Sequence, residues 1–174
     1  MIASASRGTI IDRMLGAALL EAETYQEAAV APSLRNQAVL VVAITALAAG
    51  VGNLGGGLTG LLLAGLAALI GWGLFALVAY WVAIKRYGVP HTHNNLSATL
   101  RVLGLASTPR LFLLFTFIPG IGILVGLAVH TWLLFTAVLA LEAALDMPRR
   151  AAIITAVSGS LPMFLLWTLA WALT

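Results

Sequence analysis

The chain has 174 residues, of which 61% are hydrophobic and 9% charged, with a formal net charge of +3. A soluble domain carries about 25% charged residues, so this chain cannot cover a water-facing surface, and a mean hydropathy of +1.05 places it in a membrane. Nine basic residues scattered along an apolar sequence make no phosphate-binding patch, which argues against nucleic acid, and the absence of cysteine excludes disulfides and thiolate metal sites.

The N-terminal stretch has no uninterrupted apolar core of the kind a cleavable signal needs, because Asp12 and Arg13 break TIIDRMLGAALL. Within residues 9–20, Ile10, Met14 and Ala18 share one helical line, and Ile11, Leu15 and Leu19 the next. That spacing predicts a short amphipathic helix within a cytoplasmic segment, 1–35, lying either in the membrane interface or against the bundle. Four apolar stretches follow, and the third, 111–144, would reach about 51 Å as one helix against a hydrocarbon core of about 30 Å. Pro119-Gly120 is its natural break. The segment before that break must then run back through LSATLRVLGLASTPR, with Pro109 inside it, carrying Arg101 and Arg110 into the membrane. A shallow re-entrant hairpin is the alternative. The preferred reading is all-α, a five-helix polytopic bundle spanning at about 36–54, 58–84, 99–118, 121–144 and 151–173.

Charge patterning orients this bundle. Arg7, Arg13, Arg35, Lys85, Arg86, Arg149 and Arg150 fall on the side of the N-terminus, while the opposite connections, 52–57 and 119–120, carry no Lys or Arg. The positive-inside rule then puts the N-terminus in the cytoplasm of a bacterial cell. Tyr80, Trp81 and Tyr87 form an inner aromatic belt, and Trp167 and Trp171 an outer one. Gly60, Ala64, Ala68 and Gly71 make a small-residue seam on the second span, and Gly122 and Gly126 share a face with His130 on the fourth.

Depths counted from the Pro119-Gly120 turn put Arg110 about 12 Å and His130 about 13 Å into the membrane. They predict a polar centre of Arg110, His130 and the backbone broken near Ser158 and Pro162. Pro109 frees the carbonyl of Leu105, and Pro162 that of Ser158. Arg101 and Glu142 fall at similar depth nearer the cytoplasm and are predicted to pair. Three uses of Arg110 stay open: snorkelling to water, a structural knot between helices, or an anion site. His91 and His93 in HTHNN are too few to hold a metal, and GNLGGGLTG lacks the Lys of a phosphate loop. Neither metal nor cofactor is expected.

Five segments, taken together and in order, carry a resemblance: TYQEAAVAPSLRNQAVLVVAITALAAGVG (24–52), GWGLFALVAYWVA (71–83), TLRVLGLASTPRL (99–111), IPGIG (118–122) and RRAAIITAV (149–157). The chain resembles prokaryotic members of the Yip family, the five-helix membrane proteins named for interacting with Ypt/Rab GTPases in eukaryotes. The resemblance implies a five-span bundle with a cytoplasmic N-terminus. For eukaryotic relatives it implies a role in vesicle transport and membrane organisation through protein partners. Their long cytoplasmic N-terminal region has no counterpart here, where about 35 residues precede the first span. No nucleophile–base or carboxylate pair is visible, so no enzyme activity is expected. The reading is a non-catalytic membrane organiser, adaptor or accessory subunit. Its partners are the bilayer and other membrane proteins, in a homo-oligomer or a larger complex. The alternative is a small-solute or anion transporter centred on Arg110 and His130.

Overall fold

Thr9 caps the first helix, α1 (Ile10–Ala18): its hydroxyl accepts from the Asp12 amide while the Asp12 carboxylate accepts from the Thr9 amide at 2.7 Å. A tight turn at Leu19–Leu20 returns the chain into α2 (Ala22–Val30). Then follow α3 (Arg35–Gly52), α4 (Gly57–Tyr87) and α5 (Leu96–Ala106). A 3-10 helix (Thr108–Phe117) leads into α6 (Gly122–Leu145) and α7 (Arg149–Ala172). The computed structural model describes residues 8–88 and 95–173, without the side chains of 170–172. Arg7, His91, His93 and the Trp171 ring therefore lie outside the described residues. Among those described there is no strand.

Four of these helical segments are long and apolar enough to cross a membrane, and a fifth crossing follows if α5 and the 3-10 helix, bent by 46° at their junction, count as one span. The chain is an all-α, multi-pass membrane protein with an amphipathic helix near its N-terminus. Its large and small residues are distributed accordingly. α4 buries Gly60, Ala64, Ala68, Gly71, Ala76, Ala79 and Ala83 and only one large side chain, Phe75. On its outer face Leu58, Leu62, Leu66, Ile70, Leu77 and Trp81 are exposed. Lipid tails are as apolar as leucine, so burying Leu gains little in a bilayer, and close packing of small residues holds the helices together.

α4 lies against α7 more extensively than any other pair, with Gly71 facing Met163 and Gly159 facing Phe75. α3 meets α4 through Gly50 and Gly65, and α5 through Gly104 against Ala38. α4 ends where Gly88 takes a left-handed conformation at φ 62°, and Gly120, at φ 84°, makes the turn beyond the 3-10 helix. Both positions favour glycine because a Cβ is strained there.

α1 and α2 form a hairpin wedged against α5 and α6. Arg13 holds it at one end, bonding Glu27 through both Nε (3.0 Å) and Nη2 (2.7 Å) and Gln37 through Nη1. The Glu27 carboxylate raises the Arg13 pKa further, and burial raises that of Tyr25, whose hydroxyl donates to the Ala17 carbonyl at 2.6 Å. At the tip, the Trp132 indole donates to the Ala18 carbonyl at 3.0 Å. Trp132 is about ten residues, or roughly 15 Å, into α6, so the hairpin descends alongside the middle of that helix. Arg13 and Ala17 face inward, while Ile11, Leu15 and Leu19 are exposed as one apolar line. The hairpin packs on the bundle and still presents an amphipathic surface outward. α2 was not foreseen from the sequence. The helical spacing of Thr24, Tyr25 and Ala28, all buried, was its signal.

Candidate functional site

The site grows out of the junction at Ser107–Pro109. Pro109 has no amide hydrogen to continue α5, and hydroxyls take up the carbonyls left over. Ser107 Oγ donates to the Gly104 carbonyl at 2.6 Å, and Thr108 Oγ1 to the Leu105 carbonyl at 2.7 Å. The carbonyl that Pro109 was expected to offer Arg110 is thus already taken by Thr108. The 3-10 geometry then runs for ten residues, far beyond the usual three or four. Glycines on its neighbours permit this. A Cβ at Gly52 would run into the Leu113 carbonyl and the Thr116 hydroxyl, and one at Gly122 into the Thr116 carbonyl. Thr116 Oγ1 also donates to the Gly52 carbonyl at 3.0 Å, tying the 3-10 helix to the end of α3.

This tighter winding carries Arg110 inward. It is 5% exposed, and Nη1 donates to the Ala68 carbonyl of α4 at 3.1 Å. Among the described residues no carboxylate pairs with it. Arg110 and His130 come together as walls of a small void of about 10 Å3, completed by Ala49, Ala64, Ala67, Ala68, Met163 and Trp167. Ser158 and Pro162 are half-buried and do not line it. α7 backs onto α4 here, so its contribution comes from Met163 and Trp167, one and two turns beyond Gly159 on the same face.

His130 is fixed by its neighbours. Nδ1 lies 2.7 Å from the Gly126 carbonyl; a carbonyl only accepts, so Nδ1 carries the hydrogen and a neutral ring keeps Nε2 as an acceptor. The imidazole packs against Trp167, with centroids 4.7 Å apart, and meets Phe164 edge-on at 5.9 Å. Gly126 makes room for that indole, since a Cβ there would meet Trp167 Cζ2 at 3.0 Å. Trp167, expected in an outer belt, is instead a wall of this centre. The i, i+4, i+8 run of Gly159, Met163 and Trp167 was the signal that could have revealed it.

The expected pairing of Arg101 with Glu142 does not form. Arg101 is buried, donating from Nε to the Ala28 carbonyl at 2.9 Å and from Nη2 to the Ala29 carbonyl at 2.7 Å, with Ser97 as a further partner. The reason is α2, which packs on both α5 and α6. Its last carbonyls lack intrahelical partners and carry the negative end of the helix dipole, so they capture the guanidinium. Glu142 lies 3.9 Å from Arg149 instead. Of the predicted packing residues, Gly60, Ala64, Ala68, Gly71 and Gly126 are buried, and Gly122 abuts the 3-10 helix.

Comparison with known proteins agrees with this architecture. A family model described as Yip1 domain matches residues 18–172, from the tip of the N-terminal hairpin to the end of α7. Comparisons with curated proteins and with solved structures return no match. An all-α, multi-pass bundle matched along nearly its full length by that family model leaves one conclusion: the chain belongs to the Yip family.

Proposed function

We propose that this protein is a non-catalytic membrane organiser or adaptor that works through protein partners, and that Arg110 is a packed structural side chain within it rather than a solute site. The observation that carries this is the size of the void at Arg110. About 10 Å3 is roughly what a single water needs and less than any solute requires. Alanines and a methionine make up most of its remaining wall, and Arg110 is tied to the backbone of α4. Membership of a family of non-enzymatic membrane proteins supports the non-catalytic reading. The clustering of Arg13, Arg35, Lys85, Arg86, Arg149 and Arg150 at the N-terminal side supports a cytoplasmic N-terminus in a bacterial cytoplasmic membrane.

A second reading, a transporter for small anions, has one observation in its favour. A cavity of about 660 Å3 at the turn end, with Asn53, Thr116 and Thr168 in its wall, shares Trp167 with the void at Arg110. Chloride flux into proteoliposomes separates the two. The adaptor reading expects no flux above protein-free vesicles, and Arg110→Leu unchanged in fold and in partner recovery. Chloride flux that Arg110→Leu abolishes, with the melting temperature unchanged, would replace the adaptor by the transporter.

A further inference from the structure

The seam between α6 and α7 holds a groove that the polar centre does not account for. α7 follows α4 far more closely than it follows α6, and Pro162 interrupts its hydrogen bonding near mid-length. Three cavities succeed one another along this seam. The first, about 660 Å3, begins at Gly122 beside the Pro119-Gly120 turn. The second, about 310 Å3, has His130, Thr131 and Ser160 in its wall. The third, about 410 Å3, ends at Glu142 and Arg149 and is bounded by Leu20 from the N-terminal hairpin. Each shares walls with the next, Leu127 and Phe164 joining the first two and Leu134 and Val157 the last two. From Gly122 to Glu142 the groove runs about 30 Å, the thickness of a hydrocarbon core.

We propose that this groove seats one transmembrane helix of a partner protein, about 20 residues long and apolar, with a Ser, Thr, Asn or Gln at its midpoint. Length is the first argument. Lipid would need two acyl chains, one from each leaflet, to fill the groove, whereas a single helix of about 20 residues spans it. Chemistry is the second. His130 sits halfway along with Nδ1 engaged by Gly126, and among the described residues Nε2 has no donor. An acyl chain cannot supply one; a hydroxyl or amide on a facing helix can. Thr131 and Ser160 make no such demand, since both hydroxyls donate to carbonyls of their own helices. A second copy of this chain fits poorly, because two-fold symmetry would set one concave seam against another. The proposal rests on the adaptor reading and names the part of the partner that is held.

The test places a photo-crosslinking benzoylphenylalanine at Leu127, Leu134 or Val138 in the full chain, in native membranes. Leu58 and Leu77, on the outer face of α4, serve as controls. The expected adducts map to one apolar segment of one protein, the contact point moving along it by about seven residues between Leu127 and Leu134. His130→Phe should lower their yield by about threefold, and Ser160→Trp, which fills the groove from its open side, should abolish them. Lipid adducts in the groove with protein adducts at Leu58 or Leu77 would overturn the groove and leave the adaptor standing. Protein adducts at none of the five positions would overturn both. Adducts between two copies of this chain would overturn the single-helix occupant.

Discussion

Glycine serves two purposes in this chain, and single substitutions tell them apart. At Gly52 a Cβ meets the backbone carbonyl of Leu113, which cannot move without unwinding the 3-10 helix; at Gly73 a Cβ meets nothing. Gly52→Ala should therefore cost about 1–3 kcal/mol, as overpacking does. Gly73→Ala should gain about 0.5–1 kcal/mol through helix propensity. Thermal unfolding in detergent compares the two directly. Arg110 admits a similar contrast. A buried charge holding one hydrogen bond adds little over an apolar side chain of similar volume, so Arg110→Leu should change stability by less than about 1 kcal/mol. Arg110→Ala leaves a cavity beside Ala64 and Met163 and should cost about 2 kcal/mol or more. A large loss from Arg110→Leu would instead mean that the guanidinium itself holds the bundle together.

Among the elements, α1 and α2 depend most on polar contacts. Hydrogen bonds from Thr9, its side chain first, hold the Asp12 carboxyl below its ordinary value of 3.8. A carboxyl lowered on folding contributes fully above that ordinary value, and its contribution is lost as pH falls through the lower folded value. The start of α1 should therefore fray only below the ordinary carboxylate range. Amide exchange at Asp12 and Arg13 reads this, and Thr9→Ala should shrink the pH step to the part that the residue-9 backbone amide supplies. At the same open end of the hairpin, Arg101→Leu removes two charge-assisted bonds to the carbonyls closing α2. Each is worth about 1.5–3 kcal/mol. The expected result is a proteolytic nick in 22–34 while α3 through α7 remain intact.

For the whole molecule, the bent pair sets the number of crossings. If α5 and the 3-10 helix make one bent span, the Pro119-Gly120 turn faces the side opposite Lys85 and Arg149. Single cysteines at Gly120, Arg86 and Arg150 can each be introduced into this cysteine-free chain and labelled with a membrane-impermeant maleimide. Position 120 should react from one side only, and positions 86 and 150 only from the other. Labelling of 86 and 120 from one side and of 150 from the other would make the bent pair a re-entrant loop and the bundle four-spanning, since α6 crosses the membrane in either case.

Composition, hydropathy period and turn residues by themselves determined that this is an all-α membrane protein, roughly where its long helices lie and where Pro119 and Gly120 turn the chain. These are local or additive properties, legible without knowing what packs on what. The small-residue seam of α4 was legible for the same reason, since a bilayer rewards only close packing. What bonds to what was decided by tertiary structure. Depth along a helix places Arg101 level with Glu142 and Arg110 level with His130 but says nothing of azimuth or of intervening elements. The unforeseen α2 hairpin comes between Arg101 and Glu142 and offers carbonyls instead. Thr108 takes the carbonyl that Pro109 was expected to free, leaving Arg110 the backbone of α4. A buried donor bonds to the nearest acceptor in three dimensions, and that neighbour is set by packing rather than by position along the chain.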